Sequence, residues 1–213
     1  MIVAVCGLLR EARLLSRHGV KVVIGNAVEA AITPDIRGIV SIGIAGALAP
    51  ELDAGDAVIA ERVVTACDAF ETDAKWTARI AARLPDATIG AILGRGAIAD
   101  AAEVKALLHD SSRAVAVDME SHLAAQAARA HGLPFAALRV ISDRADQSLP
   151  PAVRVAMRTD GSIALGRVLW SVAKEPGQIP ALIRTGRESE KAFAALLRCL
   201  DALGPGLRGP DVG

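Results

Sequence analysis

A doubly wound α/β fold, with a central mixed and mostly parallel sheet flanked by helices, is what this chain predicts. Three observations carry the prediction. Short apolar runs of strand length alternate with segments of helical period from Ile2 to Asp143. Gly7, Gly19, Pro34 and Pro85 stand at the junctions between them. Aromatics make up only 2% of the 213 residues and tyrosine is absent, so alanine, valine, leucine and isoleucine must fill the core. A chain of this length is enough for one domain with a substantial interior.

Ile2 to Cys6 reads as the first strand, and Gly7 lets the chain turn. Leu8 to His18 has a helical pattern that Gly19 ends. Lys21 to Ile24 is the next strand, and Ala27 to Ile32 is ambiguous. Gly38 to Ile42 reads as a buried strand leading into a small-residue turn, Gly43-Ile44-Ala45-Gly46-Ala47. Asp56 to Ala60 and Arg62 to Thr65 read as two strands, Ala74 to Leu84 as a helix, and Ala87 to Leu93 as a strand.

After the loop Gly94 to Ala99, Asp100 is placed to cap a helix from Ala101 to His109. Ala114 to Val117 is a short strand, Met119 to Ala130 a helix, and Phe135 to Ile141 a strand. Beyond Pro150-Pro151 the pattern becomes helical, with candidates at Val153 to Ala173 and Pro180 to Leu203. The expected organisation is one domain over 1–203, with 151–203 a helical extension. The Gly/Pro-rich tail 204–213 is expected to be disordered.

Composition excludes several function classes. Lys+Arg and Asp+Glu are equal at 24 each, which argues against a nucleic-acid binder. Cys6, Cys67 and Cys199 are odd in number and in no CxxC pattern, which argues against a disulfide framework or zinc site and for a reducing cytoplasm. His18, His109, His122 and His131 lack i,i+4 pairing, so no metal site is expected. The opening strand has no basic leader, and no run reaches the length of a membrane span. The stretch after Gly43 lacks the third glycine of a dinucleotide fingerprint, so a nicotinamide enzyme is disfavoured.

The residues that can carry chemistry are carboxylates at element ends. Glu120 opens a helix, and Asp143 ends an apolar strand where burial would let it hold a proton. Glu11 follows the first strand; on its own it also reads as an ordinary first-turn acid. Two such groups near one end of an α/β unit suit cleavage of an N-glycosidic bond, one gripping a sugar diol and the other protonating a leaving base.

Taken in order, these blocks resemble the purine nucleoside phosphorylase and methylthioadenosine/adenosylhomocysteine nucleosidase family over roughly residues 1 to 150. The blocks are the opening strand-Gly with its following Glu, Gly43-Ile44-Ala45-Gly46-Ala47-Leu48 with Gly55-Asp56-Ala57-Val58, Val117-Asp118-Met119-Glu120, and Arg139-Val140-Ile141-Ser142-Asp143. The resemblance implies a nucleoside phosphorylase-like fold and a nucleoside-cleaving enzyme. It assigns Glu120 to the ribose hydroxyls with Met119 under the sugar. Asp143 becomes the acid at purine N7, with Ser142 orienting it, and Glu11 the group that positions an attacking water. Ile44 stands where these enzymes often have serine or threonine, Gly46 lies in the same stretch, and Ile98 replaces the aromatic that often stacks on the base. Ser41 lies near where some phosphorylases carry an arginine. Gly7 and Arg10 are the candidates for holding phosphate.

The stretch Gly166 to Trp170 followed by Pro176 to Arg184 resembles the hopanoid-associated phosphorylase subgroup. That implies phosphorolytic removal of adenine from adenosylhopane, with inorganic phosphate as co-substrate and no other cofactor. A hydrolytic nucleosidase acting on methylthioadenosine or adenosylhomocysteine is the alternative, and a non-catalytic nucleoside-binding or membrane-associated partner a second one. The arginine-dotted C-terminal helices suit peripheral membrane contact. The family commonly forms homo-oligomers.

Overall fold

The computed structural model describes residues 1–156 and 164–210. Eight strands form one mixed sheet: β1 (Ile2–Cys6), β2 (Lys21–Ile24), β3 (Gly38–Ala47), β4 (Ala57–Val64), β5 (Ala69–Glu71), β6 (Thr88–Gly94), β7 (Ala116–Asp118) and β8 (Phe135–Asp143). The helices are α1 (Leu9–Leu15), α2 (Val28–Ala31), α3 (Ala74–Ala81), α4 (Ala102–Ser112), α5 (Ser121–Ala130), α6 (Pro151–Ala156), α7 (Leu165–Lys174) and α8 (Ile179–Leu203).

Pairing is parallel for β1 with β2, β1 with β3, β3 with β8, β4 with β6, and β6 with β7. It is antiparallel for β3 with β7, β4 with β5, and β4 with β8. The expected mixed, mostly parallel sheet is therefore what forms. Strands β3, β8, β4, β6 and β7 close on themselves, because β7 returns to β3. β8 is buried along its whole length, which explains its near-continuous apolar sequence.

Several boundaries depart from expectation for physical reasons. The stretch Gly43 to Ala47 is no turn: β3 runs through it, and its residues pair with β8 and β7. The glycines there serve carboxylates lying over the strand rather than a change of direction. The two strands expected over 56–65 are one, β4, with a register irregularity between Ala60 and Arg62. α4 is not capped at its start by Asp100: its N-cap residue is Ala101, and the amide of Ala102 donates to Ser148 Oγ at 3.1 Å. The long helix expected over 153–173 is described as α6 and α7, and residues 157–163 between them lie outside the described part.

The C-terminal region is more central than expected. α8 buries Ala192, Phe193, Ala195, Leu196, Cys199, Leu200 and Leu203, a stripe at helical spacing packed with residues of β1, β3, β4 and β8. The tail is not disordered through residue 210. Leu207 is fully buried, and its carbonyl accepts a bond of 3.0 Å from the indole of buried Trp76. Residues 211–213 lie outside the described part.

Candidate active site

β3 organises the site, because three carboxylates gather around its second half and around the neighbouring end of β1. Glu11 is almost fully buried rather than a solvated first-turn acid. Its Oε2 accepts from the amides of Gly7 and Leu8, both at 2.8 Å, and its Oε1 from the amide of Ile44 at 2.7 Å. It stands third in α1, so one side chain caps the helix start and reaches across to β3. Gly43 makes room for it: a Cβ there would lie 2.5 Å from Glu11 Oε1.

Glu120 occupies the N-cap position of α5, just beyond β7. It lies over Gly7, where a Cβ would come within 2.6 Å of its Oε1. Met119, the residue before it, is half-buried. Asp143 ends β8 beside Gly46, with which it pairs in register. A Cβ on Gly46 would sit 3.1 Å from Asp143 Oδ2. Ser142 Oγ lies 2.7 Å from Asp143 Oδ1 and 3.1 Å from the carbonyl of Ala45. Three glycines thus leave the space that three acids fill, which is the physical content of the small-residue pattern in the sequence.

A buried arginine anchors the centre. Arg139 on β8 donates through Nε to Asp118 Oδ2 at 2.7 Å, through Nη2 to the same carboxylate, and through Nη2 to Ser41 Oγ at 2.6 Å. Asp118 also accepts the amide of Ser121 at 2.8 Å and the Ser121 hydroxyl, so it caps α5 while neutralising Arg139. Ser41, near where some phosphorylases carry an arginine, is instead an acceptor for this one.

One guanidinium cannot compensate Glu11, Asp118 and Glu120 together. Burial first, and then the Asp118 charge, push the Glu120 carboxyl up to about 7, with Glu11 adding to the rise and Arg139 opposing it. Burial also pushes Glu11 up, against the pull of the Ile44 amide, Arg139 and the Leu8 and Gly7 amides. Cys6 lies beneath, buried and inert, with its thiol pushed up to about 12 by burial and by Glu11.

Asp143 does not stand alone in its burial. Lys105, with no exposed surface, comes from α4 and donates to Asp143 Oδ2. Sequence reasoning passed over this lysine, although a signal existed: 105, 108 and 112 of α4 share one helix face turned from solvent, and Lys105 sits on it. The Arg139–Asp118 pair was likewise left without a role, although an arginine inside an apolar strand demands a buried acid. Arg10 was the candidate for phosphate. Its side chain turns to the surface, where its Nη2 meets Glu190 Oε2 at 2.7 Å and its guanidinium stacks 4.0 Å from the Phe193 ring centroid. Ile98 is half-buried in the loop between β6 and α4.

The sequence pattern of the phosphorylase superfamily matches residues 3–173, which contain every group of this site. The chain belongs to the phosphorylase superfamily. As a member it is a nucleoside-cleaving enzyme with the α/β fold of nucleoside phosphorylases and nucleosidases. Among solved structures of similar fold is the futalosine hydrolase of Helicobacter pylori, at 17% identity and TM-score 0.65, covering 95% of this chain and 97% of that one. Another is the MTA/SAH nucleosidase of Streptococcus pneumoniae, solved with 8-aminoadenine, at 20% identity and TM-score 0.60, covering 93% and 99%. A mutant Helicobacter pylori nucleosidase with 5′-methylthioadenosine in its active site gives 16% identity and TM-score 0.61, covering 94% and 97%. This superfamily member thus shares the fold of a futalosine hydrolase and of MTA/SAH nucleosidases. Among its described residues, no helix is long and apolar enough to cross a membrane.

Proposed function

We propose that this chain hydrolyses the N-glycosidic bond of an adenine nucleoside carrying a 5′ substituent, with water as the nucleophile. The observation that carries this reading is the Glu11 carboxylate seated on the amides of Gly7, Leu8 and Ile44. Converging amides of that kind are an anion site, and here the protein's own acid fills it. With Arg10 engaged at the surface by Glu190, the candidates for holding phosphate are both committed elsewhere. The site therefore favours the hydrolytic alternative over phosphorolysis, and no cofactor enters the chemistry.

In this reading the water oxygen bonds to the anomeric carbon as the bond from that carbon to purine N9 breaks. Glu11 takes the water's proton, a role that its raised proton affinity suits. Asp143, with Ser142, delivers a proton to N7 of the departing adenine. Glu120 holds the ribose hydroxyls over Met119, which fixes the anomeric carbon toward the water. Gly46 lets Asp143 lie close to β3, and Ile44 and Ile98 supply apolar wall. The positive charge that develops on the sugar lies among these carboxylates.

The test is adenine release from 5′-methylthioadenosine and from adenosylhomocysteine, each with and without phosphate. Release at one rate in both conditions, with free 5-substituted ribose as product, is expected. Release only with phosphate, giving the sugar 1-phosphate, would restore the phosphorolytic reading.

A second reading concerns the 5′ group. α7 and the first turns of α8 expose Leu169, Trp170, Ile179 and Ile183, and Lys174 lies 4.8 Å from the Trp170 ring centroid. Apolar side chains beside cations suit a hydrocarbon-tailed nucleoside such as adenosylhopane, taken from a membrane surface by a cytoplasmic homo-oligomer. A preference for long 5′-alkyl adenosines in anionic vesicles over methylthioadenosine would support it. Equal rates on both would remove it.

A further inference from the structure

Lys105 is a fully buried lysine that the reading above does not use. Its ammonium has three hydrogens and three acceptors: Asp143 Oδ2, the carbonyl of Arg144 at 2.7 Å and the carbonyl of Gln147 at 3.0 Å. The same segment is tied to α4 twice more, by Ser148 Oγ accepting the Ala102 amide and by the Leu149 amide donating 2.7 Å to the carbonyl of Asp100. Neutral donors suffice for carbonyls. A buried ammonium is costly unless a charge answers it, and the contact that answers Lys105 is Asp143.

We propose that Lys105 is a positioning residue for glycosidic cleavage, resting on the reading that Asp143 meets the departing base. By holding Oδ2 it fixes the rotation of the carboxyl, so that Oδ1, bonded to Ser142, is the edge turned to the purine. As Asp143 gives its proton to N7, the ammonium answers the carboxylate charge left behind, so that no uncompensated anion remains beside the departing base. By gripping the carbonyls of Arg144 and Gln147 it sets the path of the chain leaving the site. Among the described residues, the charged groups around this pair include Arg144, Asp146 and Glu188. Arg144 turns outward to Asp53 and Asp146, Asp146 feels the charge of Lys105, and Glu188 on α8 reaches the segment through Gln147.

The experiment measures adenine release by the full chain on 5′-methylthioadenosine as a function of pH, for the wild type, Lys105→Met and Lys105→Gln, with Tm recorded for each. The positioning role predicts that kcat falls by about 10²-fold in both variants while KM stays within about threefold. It also predicts that the alkaline limb of kcat/KM shifts in both variants, because the charge facing the reacting carboxyl is gone. If methionine prevents folding, glutamine keeps donors for the two carbonyls and gives the same readout. A lowered Tm with kcat within about twofold of wild type and an unmoved limb would overturn the proposal and leave Lys105 a staple. Failure of the wild type to release adenine would overturn the reading of the reaction, and this proposal with it.

Discussion

Glu11 and Asp143 are both buried acids lying over a glycine of β3, yet the protein holds them by opposite means. Glu11 is held by three main-chain amides, which are neutral donors fixed by β3 and by the start of α1. Asp143 is held by the ammonium of Lys105 and the hydroxyl of Ser142, which are side chains brought from α4 and from its own strand. Amides orient a carboxylate without cancelling its charge, so burial still drives Glu11 toward holding a proton. An ammonium cancels the charge and leaves orientation to the lysine's packing. Two acids of one type are thereby fitted for different proton traffic: Glu11 to take a proton, and Asp143 to give one, since Lys105 answers the carboxylate it leaves behind.

The largest effects should come from removing either acid. Glu11→Gln and Asp143→Asn should each lower kcat for adenine release by about 10²–10⁴-fold, measured on folded protein. The two should differ with substrate: a nucleoside whose base leaves readily without protonation should rescue Asp143→Asn and not Glu11→Gln. Equal rescue of both would break the contrast.

Glu120 shares its surroundings with Glu11, Asp118 and Arg139 and should report the crowding of charge. Its folded-state pKa of about 7 stands above the ordinary value of 4.5. Between these values the folded state keeps a proton that the unfolded state has lost, so stability falls as pH rises through that window and levels off above about 7. Glu120→Gln, which cannot ionise, should therefore be more stable than wild type at pH 9, by up to roughly 3 kcal/mol, and no more stable at pH 4. Tm at the two pH values decides it. Because the carboxylate form grips a diol, KM of the wild type should fall as pH rises through 7. A pH-independent KM would remove Glu120 from ribose binding.

Smaller effects should separate the two glycines. Gly43→Ala drives a methyl to 2.5 Å from Glu11, which three amides prevent from yielding, and should cost about 1–3 kcal/mol of stability together with most activity. Gly46→Ala meets Asp143 at 3.1 Å and should cost less in both. The smallest effect is chemical. Cys67 is exposed while Cys6 and Cys199 are buried with their thiols pushed up, so a thiol reagent should label one cysteine of the native protein and all three after unfolding.

The elements of this fold were legible because strand-length apolar runs and helical stripes follow local periodicity. Errors arose where a residue serves something distant in sequence. Gly43 and Gly46 read as a turn because local chemistry offers glycine no better use, whereas their reason is the volume of Glu11 and Asp143. The Gly/Pro tail read as disorder because the Trp76 indole that takes the Leu207 carbonyl is 131 residues away. Glu11, Glu120 and Asp143, which the fold gathers around β3, stood out as candidates through ordered motifs. Lys105 was hidden because a lysine on a helix is read as solvated unless its stripe is traced inward, and the acid awaiting it lies 38 residues on.

The chain has two tryptophans, and the fold gives them unlike surroundings. Trp76 has no exposed surface and is bonded to the tail, while Trp170 on α7 is 65% exposed. The protein thus carries its own pair of optical probes. Aqueous iodide should quench the red-shifted emission of Trp170 and spare the blue-shifted emission of Trp76. Release of the tail alone would expose the second fluorophore while the first kept its colour, so detachment of the C-terminus can be watched separately from any change at α7, without a label.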